Sequence, residues 1–152
     1  MTGAELEDLV RRFHACEVPR REWTHAAHLS VGLWHVSRYG AADALARLRD
    51  GIRRLNESNG VVNSAASGYH ETITWAYVQL LAAFAERHAD APVAERVARL
   101  LASDLADRGA LLKFYSRPHL ESADARLGLV EPDLAPLELD SVFARQAGKW
   151  FE

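Results

Sequence analysis

The chain has one cysteine, Cys16, and one methionine, Met1. A single thiol excludes an intramolecular disulfide and any zinc centre built on cysteine. Long apolar runs are missing as well. The longest, such as Leu80 to Ala85, fall far below the roughly 18 residues that a membrane helix needs. The amino terminus, Met1-Thr2-Gly3-Ala4-Glu5-Leu6-Glu7-Asp8, is acidic and carries no apolar signal core, so a soluble, cytoplasmic protein is expected. Positive charge is not in surplus: 18 Lys and Arg stand against 21 Asp and Glu, for a net charge of −3 and a pI near 6.2. Such a chain has no electrostatic footprint for nucleic acid. The pairs Arg11-Arg12, Arg20-Arg21 and Arg53-Arg54 read as solvated helix edges. No alternating run is convincing as a strand.

What remains is helical. The 152 residues are 49% hydrophobic and 26% charged, the balance of one globular domain spanning 1–152. Apolar spacing predicts helices over Glu5 to Ala15, Thr24 to Tyr39, Ala41 to Leu55, Gly68 to Arg87 and Val93 to Asp107. Gly40 reads as a left-handed C-terminal cap, and Asn56 to Ser67 as a polar loop with a turn at Asn59-Gly60. A short segment from Leu111 to Tyr115 is cut at Pro118, and a last short helix is expected over Ser141 to Ala147. The expected fold is all-α, an irregular bundle of five to six helices with an extended, proline-containing C-terminal segment.

Two histidine elements stand out. The first is Glu22-Trp23-Thr24-His25-Ala26-Ala27-His28-Leu29. Residues three apart share a helix face, so His25 and His28 reach a common point. His35 lies two turns on, with Gly32 between them as a notch. Thr24 is a good N-cap, but Pro19 also fits a first helical turn. A start at Pro19 would join Glu22 to His25 as Glu-x-x-His, the spacing of carboxylate-bridged di-metal bundles. The chain has no second such motif, which weighs against that reading.

The second element is Gly68-Tyr69-His70-Glu71-Thr72-Ile73-Thr74. The 3.6 period puts His70, Thr74, Tyr77 and Leu81 on one face, where the Thr74 hydroxyl is placed to orient the imidazole. Glu71 sits about 100° round the helix. The β-branched residues disfavour helix at this end; for Thr72 and Thr74 taken singly, bonding to backbone groups is the better explanation, but not for His70. Expected catalytic residues are His70, Glu71 and Thr74.

Three imidazoles, His25, His28 and His70, with an open position would suit Zn, Fe, Mn or Cu as a divalent transition metal cofactor. The positive ends of the two helices argue for an anion instead. A carboxylate or phosphate substrate held there, with neutral histidine as acid or base, is the metal-free alternative. A third patch runs from Lys113 to His119. It offers Tyr115 and Arg117 for substrate binding, although helix C-termini attract basic residues anyway.

Together, the Trp23-Thr24-His25 and His28-Leu29 string, the Gly68 to Thr74 string, and Tyr115-Ser116-Arg117 followed by Val130-Glu131-Pro132-Asp133-Leu134 resemble a small, functionally uncharacterised family of bacterial all-helical proteins. The likeness covers roughly residues 10 to 137. It implies that His25, His28 and His70 belong to one site, and it implies no reaction. The residues themselves suggest an enzyme acting on a small-molecule substrate by metal-assisted hydrolysis, lyase or oxygen chemistry. A ligand-binding or sensing module built on the same histidines is the alternative, and a helical interaction protein a third. No nucleic-acid or membrane partner is expected, and a homodimer is allowed.

Overall fold

Hydroxyl side chains set most of the helix starts. The structure, a computed structural model, describes residues 1–143. Thr2 caps α1 (Gly3–His14), Thr24 caps α2 (His25–Tyr39), Ser116 caps α6 (Arg117–Leu120) and Ser122 caps α7 (Ala123–Leu127). In each, the side-chain oxygen accepts a backbone N–H that the first turn leaves without a partner. Between them lie α3 (Ala41–Ser58), α4 (Glu71–Arg87) and α5 (Val93–Leu101), with short 3-10 turns at Arg20–Glu22, Asp104–Ala106 and Ala110–Lys113. Residues 139–143 are also helical, while 144–147 of the expected last helix lie outside the described residues. The all-α expectation holds, and no strand occurs among the described residues.

Helix α2 is the centre of the bundle and packs against α1, α3, α4 and α5. Its sequence accounts for that place, because apolar residues surround it: Leu29, Val31, Leu33 and Val36 are all buried. Close approach is bought at two glycines. A Cβ on Gly32 would stand 2.8 Å from Leu81 Cδ1 of α4, and one on Gly51 of α3 only 2.5 Å from the Phe13 ring of α1.

Several expected boundaries shift. Gly40 has φ +78° but ψ 172°, so it ends α2 in an extended, glycine-only conformation rather than a left-handed helical one. Helix α4 starts at Glu71, not Gly68, because His70 takes the cap position. Helix α5 stops at Leu101, and Ser103 then caps a separate 3-10 turn. The bundle is therefore more divided than the five to six helices expected.

The segment after α7 runs without helix through Pro132 and Pro136 to residue 138, and side chains clip it down. The buried Thr72 hydroxyl donates to the Gly128 carbonyl (2.8 Å) and accepts from the Val130 N–H (3.1 Å). The Tyr115 hydroxyl donates to the Val130 carbonyl, and Ser116 donates twice to Asp133. Among the described residues no helix is long and apolar enough to cross a membrane.

Candidate functional site

The Thr24 cap decides where the first histidines go. Its Oγ1 accepts from the Ala27 N–H at 3.1 Å, which starts α2 at His25 and leaves Glu22 in the preceding 3-10 turn, beside Arg12. His25 and His28 then face a pocket of about 330 Å³ between α2, α3 and α4. Gly32 and Leu81 line it where the two long helices meet. Leu48 and Ile52 enter from α3, Ile73, Thr74 and Tyr77 from α4, and Trp23 and Arg108 from the flanking loops. This is the size range of small-molecule sites, and its wall is mainly hydrocarbon with a few polar groups.

Those polar groups are held in defined states. His28 Nδ1 lies 2.8 Å from the Thr24 carbonyl, which can only accept, so Nδ1 carries the proton and Nε2 keeps its lone pair. The ring lies against Trp23, with centroids 3.9 Å apart. Crowding by protein drives its pKa down to about 4, aided by His25 and Arg108 and opposed by the Thr24 carbonyl. The ring is nevertheless exposed, and water reaching it moderates that shift. Even the ordinary value of about 6.5 leaves it mostly neutral at pH 7. His25 donates weakly from Nε2 to the Leu105 carbonyl at 3.4 Å, and burial also lowers its pKa. Burial and Asp107 raise the Tyr77 hydroxyl to about 12, so it stays a proton donor. Among the described residues neither the Tyr77 hydroxyl nor the Arg108 guanidinium has a hydrogen-bond or ion-pair partner.

The other expected site residues are elsewhere or otherwise engaged. His70 is not among the lining residues of this pocket. Its Nδ1 accepts from the Ile73 N–H (3.1 Å) and its Nε2 donates to the Leu120 carbonyl (2.7 Å), so neither nitrogen keeps a lone pair for a metal or a proton. The geometry therefore does not assemble His25, His28 and His70 into a triad. Among the described residues no three His, Cys, Asp or Glu side chains are grouped to hold a metal ion. Thr74 does line the pocket, but its hydroxyl donates to the His70 carbonyl (2.9 Å) instead of orienting the imidazole. Glu71 lies in a different cavity, gripped by Arg49 and Tyr69. Tyr115 is fully buried as a clip on the C-terminal segment, and Arg117 is exposed and paired with Glu121 one turn on.

His35 is buried away from the pocket. Its Nδ1 donates to the Val31 carbonyl, and its Nε2 meets His14 Nε2 at 3.1 Å.

No family model, curated protein or solved structure matches the chain. The site therefore has to be read from its own geometry. Trp23, Tyr77 and Arg108 enter it without having been given a site role from the sequence, although Trp23 stands within the first histidine element. For Tyr77 a signal existed, since it shares the face of Thr74 and Leu81. For Arg108, in a loop beyond α5, there was none.

Proposed function

We propose that the pocket between α2 and α4 is the active site of an enzyme acting on a small, largely apolar metabolite that carries an acidic group. The observation carrying this reading is the state of His28: a neutral imidazole whose tautomer is fixed by Thr24, with its Nε2 lone pair left over beside a hydrocarbon wall. That is the condition of a general base. In this reading His28 Nε2 takes a proton from the substrate, the Tyr77 hydroxyl hydrogen-bonds the oxygen on which negative charge develops, and Arg108 holds a carboxylate. The reaction class is proton transfer next to a carbonyl or carboxylate. The expected metal chemistry is not carried forward, because it rested on His70, and both nitrogens of that ring are hydrogen-bonded.

A second reading, a ligand-binding or sensing module, draws on the mainly apolar wall of the same pocket, which suits retention without turnover. One experiment separates the two. A panel of small aromatic and branched aliphatic carboxylic and keto acids is incubated with the protein in D₂O, and deuterium incorporation is followed by NMR. Exchange catalysed by the wild type, reduced ~100-fold or more in His28→Asn with ligand binding retained, is the outcome expected of a general base. Binding without exchange across the panel selects the sensing module. Binding that is indifferent to both His28→Asn and Tyr77→Phe sinks both readings.

A further inference from the structure

A second cavity, of about 170 Å³, lies on the neighbouring face of α3 and at the start of α4. The two cavities share walls: Leu48 and Ile52 face the first, while their chain neighbours Arg49 and Arg53 face the second. Three guanidinium groups line the second cavity, those of Arg49, Arg53 and Arg126, against the single carboxylate of Glu71. That carboxylate is already spent. Arg49 holds it through two nitrogens (2.8 and 2.7 Å), and the Tyr69 hydroxyl donates to it at 2.7 Å. The Arg49 charge is thus cancelled, and two positive charges remain.

Neither of the two remaining guanidinium groups is in a salt bridge among the described residues, and the one carboxylate near them, Glu71, is shared with Arg49. Arg126 donates from Nη1 to the Gly68 carbonyl at 2.7 Å, which fixes the guanidinium without neutralising it. Arg53 is exposed at the rim, where its guanidinium makes no hydrogen bond or salt bridge among the described residues and acts on Glu71 only through space. The floor between them is built rather than loose. Asn63 Oδ1 accepts from Asn56 Nδ2 (3.1 Å) and from the Tyr69 N–H (2.9 Å). Gly68 has φ +78° and so little room that a Cβ would stand 2.6 Å from the Val62 carbonyl oxygen.

We propose that this cavity binds a phosphate group. Three guanidinium groups against one carboxylate, held in a polar concavity, leave an excess of positive charge that suits a dianion with several acceptor oxygens. The volume, below the roughly 300 Å³ at which drug-sized ligand sites begin, takes a phosphate-sized group and little more. The site is separate from the His28 pocket, and its test does not depend on the activity proposed there.

Inorganic phosphate titrated into the full chain at constant ionic strength, followed by calorimetry, should show one saturable site. Removing one charge-assisted contact in Arg53→Gln or Arg126→Gln should weaken binding ~10- to 100-fold. His28→Asn should leave it unchanged. Arg53 makes no side-chain contact on which the fold depends, so its variant stays informative if Arg126→Gln destabilises the chain. Glycerol phosphate, titrated in parallel, identifies the source: tighter binding than inorganic phosphate assigns the group to a phosphorylated metabolite, and weaker binding to the free ion. No saturable binding at millimolar phosphate, or full affinity in Arg53→Gln, overturns the proposal.

Discussion

His70 hydrogen-bonds through both ring nitrogens, and the segments it joins are far apart in the chain. One bond caps α4 and the other reaches Leu120, 50 positions on. Truncating the ring therefore removes a helix cap and leaves a carbonyl unpartnered. His70→Ala is expected to lower unfolding stability by about 2–3 kcal/mol, read as a shift of the urea midpoint, while His28→Ala costs less than about 1 kcal/mol. Equal midpoints for wild type and His70→Ala would return His70 to the list of functional groups. The sequence does place His70 at a helix start beside a polar loop. It cannot show that both nitrogens are engaged, because nothing local to residues 68–74 marks Leu120 as a partner. His28 is the opposite case. Its partner is the Thr24 carbonyl one turn back, and the face it shares with His25 is legible from spacing alone.

At the scale of the helix, glycine marks where neighbours come closest. Replacing Gly51 by alanine gains about 1 kcal/mol in helix propensity, but the new methyl group meets the rigid Phe13 ring at 2.5 Å, an overpacking that costs about 1–3 kcal/mol. The overlap wins. Gly51→Ala should destabilise the fold by about 1 kcal/mol, and a thermal melt at or above the wild-type midpoint would show that Phe13 moves aside at no cost. Periodicity located α2 and α3 well, with Thr24 winning over Pro19 as the start of α2 because its hydroxyl caps the helix, and with α3 running three residues past Leu55 to Ser58. The start of α4 and the end of α5 were harder to place. A histidine cap has no sequence signature comparable to serine or threonine, and Ser103, lying inside an apolar spacing, reads equally well as helix interior.

Across the whole molecule, acid should weaken the fold through its histidines before its carboxylates. Folding lowers the pKa of His14, His25, His28, His35 and His70, in each case first through burial. His35 is the clearest, at about 4. It is packed by Phe13 and His14 of α1, by Trp34 and Tyr39 of its own helix, and it feels Arg47 of α3. Its folded pKa lies below the unfolded value near 6.5, so the unfolded chain binds the proton first. The stability it contributes is complete above pH 6.5 and is lost as pH falls toward 4. Being almost fully buried, it contributes on the order of 3 kcal/mol. Urea midpoints should fall steadily between pH 6.5 and 4, and less steeply in His35→Gln. A flat profile down to pH 4.5 would contradict a buried, neutral His35. The core as a whole was legible in the apolar spacing. The clips on the C-terminal segment were not, since Thr72, Tyr115 and Ser116 act on residues 128–133, far along the chain.

The contact between Trp23 and His28 has an optical consequence. A protonated imidazole accepts an electron from an excited indole far more readily than a neutral one, and here the two rings lie 3.9 Å apart, centre to centre. Trp23 emission is thus coupled to the protonation of the residue on which the proposed chemistry turns. It is coupled as well to anything that slides between the rings or displaces water from them. The Trp23 indole N–H, buried without a hydrogen-bond partner, adds an environment in which emission is shifted to the blue. The pocket carries an intrinsic fluorophore of its own, and once the three other tryptophans are replaced by phenylalanine its emission alone suffices to watch the pocket fill.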